Sequence, residues 1–129
     1  MITRDQIKYV IEWLGLSDMK YKLFMGSSLC ARGLRDTNDI DLGVTSDKFE
    51  SLCNRFNLEP ITSSLFGREK IDISTPIGNI ELYALYDFDH VEEVNGLYCQ
   101  TLNEVIRMKK HLGREKDLKD LRLLAEIEA

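Results

Sequence analysis

A chain of 129 residues, 43% hydrophobic and 30% charged, fits one domain around a single core and excludes extensive disorder. Its formal net charge of -5 argues against an autonomous binder of bulk nucleic acid but is compatible with a local basic cleft. No apolar run approaches the ~18–20 residues of a membrane span, the opening Met1 to Asp5 lacks the charged-then-apolar order of a signal peptide, and Cys30, Cys53 and Cys99 are odd in number and form no Cys-x-x-Cys pair, so a cytoplasmic protein with reduced thiols is expected.

Thr3 to Gln6 reads as a capping box opening a helix to about Leu14, with Ile7, Val10, Ile11 and Leu14 as its apolar stripe and Gly15 as its stop. Trp13 lies near that stripe and is expected in the core. Tyr21 to Met25 is a short strand, and Ser27 or Ser28 caps a short helix through Leu34. Asp36-Thr37-Asn38 turns into a strand from Asp39 to Thr45, and Ser46 caps a helix to about Phe56. Lys70 to Ser74 and Asn79 to Leu85 are strands joined by Thr75-Pro76-Ile77-Gly78, and Asn95-Gly96 marks a further turn. Thr101 to Glu104 is a second capping box, whose helix runs to about Leu112 and stops at Gly113. A final helix carries Leu118, Leu121, Leu124 and Ile127 on one face. Helices flanking a small mixed sheet give an α+β or α/β domain over residues 1–129, with no repeat or composition break.

Asp39 and Asp41 stand in opposite phase to Ile40, Leu42 and Val44. On a strand both carboxylates project from one face, roughly 6–7 Å apart at Cα. Aspartate is depleted in strands, so two on one face need an explanation. Two anions that close repel, and one becomes harder to ionise unless a cation sits between them. Mg²⁺ suits the position, because it takes one or two carboxylates plus water and phosphate oxygens. Eleven residues separate Ser27 from Asp39. A Gly26-Ser27 turn lets backbone N–H groups approach an anion, and the bland reading as a strand-to-helix turn with a serine cap uses the same amides. Phosphate cradle plus metal carboxylates points to phosphoryl or nucleotidyl transfer.

Phe24-Met25-Gly26-Ser27 leading to Asp39-Ile40-Asp41-Leu42 resembles the signature of the DNA polymerase β-like nucleotidyltransferase superfamily. Arg35 to Asp41 resembles its small bacterial and phage-associated branch, the minimal nucleotidyltransferases and AbiEii-like proteins. Lys109 to Asp120 is similar to the Lys…Gly-Arg-x-Lys-Asp-x-x-Asp segment of that branch. The resemblance spans about residues 20–125. It implies a nucleotidyltransferase fold with a helical C-terminal segment, a nucleoside triphosphate such as ATP as substrate, Mg²⁺ (or Mn²⁺) held by Asp39 and Asp41, and transfer to an unidentified acceptor hydroxyl on RNA, protein or a small molecule. It also implies a third, proton-accepting carboxylate on a neighbouring strand, for which Asp72 ranks first and Glu81 second. Lys109 or Lys110, Arg114 and Lys116 would face the triphosphate, with Arg35 a better match than Arg32. Asp117 and Asp120 match the motif and stand at i,i+3 and i,i+4 spacing to those bases; a plain solvated helix–turn–helix surface is the competing reading of this run. His90 and His111 are isolated, without metal-ligand spacing, and are expected to be structural or exposed. A catalytically inactive nucleotide- or partner-binding module of the same fold is the alternative, and a small helical protein is the partner the resemblance implies in a toxin–antitoxin or phage-defence setting.

Overall fold

The computed structural model describes residues 1–64 and 67–128. Thr3 and Gln6 form a reciprocal capping box that starts α1 (Arg4–Trp13). β1 (Tyr21–Leu23) runs into α2 (Met25–Ala31), and a loop leads to β2 (Asp39–Thr45) and α3 (Ser46–Phe56). Then come β3 (Ile61–Thr62), β4 (Glu69–Ser74), β5 (Asn79–Leu85), β6 (Val91–Val94) and β7 (Leu97–Gln100), followed by α4 (Leu102–Leu112) and α5 (Glu115–Glu128).

The strands form one mixed sheet in the order β3-β4-β5-β2-β1-β7-β6. β2 lies parallel to β5 and antiparallel to β1. The alternation of β2 buries Ile40, Leu42 and Val44 and turns Asp39, Asp41 and Gly43 to the other face. Ile71, Ile73, Ile80 and Leu82 extend the apolar face, and Ile7, Val10, Ile11 and Leu14 of α1 with Phe49 and Leu52 of α3 close over it. Each such side chain contributes about 1.5–3 kcal/mol when fully buried. A smaller cluster of Leu29, Val105 and Leu124 ties α2, α4 and α5 together. That cluster packs the C-terminal helices against α2 and the loop after it, which no local pattern dictates.

Several details differ from expectation. Trp13 is 37% exposed: it sits at the rim, its ring 5.4 Å from that of Phe56 with the Arg55 guanidinium 5.0 Å from its centroid. Thr45, not Ser46, caps α3 by accepting from the Lys48 N–H. α2 begins two residues before Ser27, at Met25, and has no side-chain cap. Thr101 caps α4, but Glu104 pairs with Arg107 instead of closing the second capping box. On α5 the inward residues are Asp117, Asp120 and Leu124, while Leu118 and Ile127 are exposed. The helix spends its buried face on ion pairs, as described below. Cys30, Cys53 and Cys99 are buried and free. No helix among the described residues is long and apolar enough to cross a membrane.

Candidate active site

The parallel register of β2 and β5 sets Asp41 directly beside Glu81. In neighbouring strands such partners share a face, with backbones about 4.8 Å apart. Asp39, two residues earlier on β2, completes the group, and all three line a cleft of about 360 Å³. Asp39 is exposed, while Asp41 is largely enclosed and its Oδ1 is a buried atom with no hydrogen-bond partner. Burial, then the adjoining Glu81 carboxyl through a shared hydrogen bond and its charge, then Asp39, push Asp41 up to about 8. Glu81 is held below its ordinary value, first by the hydrogen bond with Asp41 and further by Lys70. This is the like-charge conflict expected of paired strand carboxylates.

Asp72 does not join this group. It lies on β4, one strand beyond Glu81 in register, with its side chain 46% exposed and 3.3 Å from Lys70. Sheet order sets Glu81, the second-ranked candidate, beside Asp41 and leaves Asp72, the first-ranked, about 10 Å away across two strand spacings. Lys70 lies 3.2 Å from Glu81 and links the two acids.

The start of α2 forms the floor of the cleft. Met25 takes a left-handed backbone conformation, φ 49, costly for a residue with a Cβ and sustained where surrounding structure fixes it. Its N–H donates to Oε1 of buried Gln100 at 3.0 Å. Gly26 follows, and a Cβ there would lie 2.8 Å from Arg35 Nη2 and 3.1 Å from Thr37 Oγ1. Ser27 does not face the cleft. Its side chain is fully buried, its Oγ donates to the Asp39 carbonyl at 3.2 Å and accepts from the Asp41 N–H at 2.9 Å. The Ser27 and Ser28 N–H groups both donate to the Phe24 carbonyl. The expected open Gly-Ser amide cradle thus reduces to Gly26, and Ser27 serves as the fastener holding the two aspartates at the helix start.

Basic side chains reach the cleft from the loop after α2 and from the C-terminal helices: Arg35, Lys109, Arg114, Lys116 and Lys119. Asp120 accepts from Arg35 Nε at 2.8 Å and Nη2 at 2.7 Å. Lys109 is 3% exposed, its Nζ 2.8 Å from Asp120 and 3.3 Å from Asp117. Arg114 Nε is 2.6 Å from Asp117. Burial works to raise both aspartates, yet Arg114 with Lys109, and Arg35 with Lys109, hold Asp117 and Asp120 below their ordinary range. Lys116 is exposed and lowers both Asp41 and Glu81 by its charge.

Lys110 is exposed and away from the cleft, as are His90 and His111. Arg32 pairs with Glu92 on β6 and donates to the Ser28 hydroxyl. Sequence reasoning missed Lys119, Thr37, Asn38 and Tyr83, which also line the cleft. Lys119 had a signal: it stands three residues after Lys116, on the same helix face. Tyr83 stands two residues after Glu81 and shares its face by strand alternation, but only the pairing of β5 with β2 sets that face against the cleft.

Asp39 and Asp41 suit a hard divalent cation: two carboxylates on one face, one carrying a buried oxygen without a partner. Among the described residues no three His, Cys, Asp or Glu side chains are gathered as a ready-made metal cage.

No family model matches the chain, and no curated protein matches it in sequence. A solved structure does share its architecture. The crystal structure of a "putative nucleotidyltransferase" from Thermotoga maritima aligns with a TM-score of 0.63 over 97% of this chain and 96% of that one, at 14% sequence identity. At that identity the likeness speaks to fold, and the fold is nucleotidyltransferase-like along nearly its whole length.

Proposed function

We propose that the chain is a metal-dependent nucleotidyltransferase, moving a nucleoside monophosphate from a nucleoside triphosphate to an acceptor hydroxyl with release of pyrophosphate. The observation that carries this reading is the double charge of one cleft: Asp39, Asp41 and Glu81 from the sheet, and Arg35, Arg114, Lys116 and Lys119 from the loop and helices around it. A polyphosphate requires cations around its oxygens, and a bound metal requires anions beneath it.

Asp39 and Asp41 would hold Mg²⁺ or Mn²⁺, which when bound neutralises phosphate charge and acts as a Lewis acid toward the α-phosphoryl group. Arg35, Arg114, Lys116 and Lys119 receive the anionic oxygens. Gly26 keeps the floor clear, since any side chain there would displace the Arg35 guanidinium. Glu81 accepts the proton of the acceptor hydroxyl as its oxygen bonds to the α-phosphorus and the bond to the pyrophosphate oxygen breaks. The Asp41 hydrogen bond and then Lys70, 3.2 Å away, hold Glu81 below its ordinary value. Positioning and charge neutralisation supply most of the acceleration in such transfers. The Thermotoga maritima likeness supports the reading through fold. The motif resemblance adds the minimal nucleotidyltransferase or AbiEii-like branch and a small helical partner protein to the proposal, and cysteine usage adds a cytoplasmic location; the acceptor lies among RNA, protein and small molecules.

The test is incubation with each triphosphate labelled at the α-phosphate, with Mg²⁺ or Mn²⁺ and host lysate, followed by location of the label. Label should move to one acceptor class, with none moved by Asp39→Asn or Asp41→Asn. Undiminished transfer by those variants would refute the assignment. Triphosphate binding without transfer by the wild type would identify the inactive binding module instead.

A further inference from the structure

Arg35, Asp120, Lys109, Asp117 and Arg114 form one unbroken relay of ion pairs joining the loop after α2 to α4 and α5. Its interior is dry: Asp117 is fully buried, Lys109 3% and Asp120 5% exposed. Its two ends are not, with the Arg35 and Arg114 side chains 29% and 36% exposed at the cleft. The carboxylate of Asp120 takes Arg35 Nε and Nη2, and the Asp36 carbonyl takes Nη1 at 2.8 Å. A guanidinium has five N–H donors. Arg35 is thus pinned in one plane with two N–H groups left over. Asp117 takes Nε and Nη2 of Arg114 at 2.6 and 3.2 Å, and also the Arg114 backbone N–H at 3.2 Å. Lys109 spends its charge between the two aspartates and is enclosed by them.

We infer that Asp117 and Asp120 are positioning residues for triphosphate binding, fixing the guanidinium planes of Arg114 and Arg35 toward the cleft, with Lys109 as the buried strut that keeps the two carboxylates apart and charged rather than as a direct phosphate ligand. The inference rests on the triphosphate reading of the cleft. It inverts the sign that charge alone predicts. Removing an anion from beside an anion-binding site should tighten binding by Coulomb's law. Here the aspartates have already ordered two long, rotamer-rich side chains, so the ligand does not bear that ordering cost.

Titration calorimetry with inorganic triphosphate and Mg²⁺ on the full chain tests this. Asp120→Asn is expected to weaken binding at least tenfold although it removes a negative charge. Arg35→Lys, which keeps the charge but cannot make the paired contact, is expected to weaken it similarly. In an Arg35→Ala background, Asp120→Asn should have no further weakening effect, because Asp120 acts through Arg35. Unchanged or tighter binding by Asp120→Asn overturns the inference, as does an equal further loss in the Arg35→Ala background, which would mark a general structural role. If Asp120→Asn fails to fold in a thermal melt, Arg35→Lys decides alone: full affinity there overturns the inference. A wild type that binds no triphosphate removes the triphosphate reading and this inference together, a result separable from failure of the variants alone.

Discussion

Asp41→Asn is expected to make the metal-free protein more stable while abolishing transfer. In the folded chain Asp41 titrates near 8 rather than at 3.8. Between those values the native state retains a proton that the unfolded chain has released. The stability linked to that proton is full below the unfolded value and is lost as pH rises through the folded one, so stability falls with rising pH across about 4 to 8. Four pH units at about 1.4 kcal/mol each set a ceiling of about 6 kcal/mol above pH 8. The opposite shift of Glu81 offsets part of this, since the two adjoining carboxyls titrate together. A net gain of about 1–3 kcal/mol, or roughly 3–10 °C in melting temperature for a domain this size, is the working magnitude. Asparagine removes the charge and supplies an N–H donor that Glu81 can accept. Thermal melts in EDTA from pH 5 to 8.5 provide the readout. The variant should melt higher at pH 8.5, and the gap should close toward acid pH. A variant that melts lower at pH 8.5, or a gap independent of pH, would refute the reasoning.

Other outcomes follow from the same geometry. Glu81→Gln should eliminate transfer while triphosphate binding survives, and Asp72→Asn should retain most activity; single-turnover assays with binding titrations separate them, and the reverse pattern would return the proton-accepting role to β4. Replacing Arg114 and Lys116 together by alanine should weaken triphosphate binding at least tenfold but leave nucleoside binding nearly unchanged. Lys110 and Arg122 serve as the charge-matched control, because Lys119 lines the cleft and cannot; equal losses in calorimetry from both pairs would indicate general electrostatics. Gly26→Ala should crowd both the Arg35 guanidinium and Thr37 Oγ1 and lose triphosphate affinity several-fold; unaltered affinity in the same titration would show that Arg35 has room to spare.

Local patterns determined much of this protein. The strict alternation from Asp39 to Thr45 gave both the bounds of β2 and the shared face of its two aspartates, because side-chain direction along one strand depends on nothing beyond that strand. Capping residues and glycine stops likewise located α1 and α4, since caps satisfy amides and carbonyls within one turn; for α3 they mark the cap one residue late, at Ser46 instead of Thr45. The short edge strand β3 and the β6–β7 hairpin escaped, apart from the Asn95-Gly96 turn, because these strands of two to four residues carry few alternations, whereas the Tyr21–Leu23 strand runs on into apolar Phe24 and Met25.

Tertiary structure decided what stands beside what. Whether Asp72 or Glu81 neighbours Asp41 depends on β5, not β4, pairing with β2, and pairing between strands distant in sequence leaves no trace in the period of either one. The fate of α5 was equally non-local. Its leucines at helical spacing pointed to an apolar inner face, but Leu118 and Ile127 are exposed and Asp117 and Asp120 are buried. An ionised carboxylate goes inside only when cations meet it there. Lys109 and Arg114 lie close in the chain, but Arg35 is 85 residues from Asp120, and only the packing of Leu29, Val105 and Leu124 brings them together.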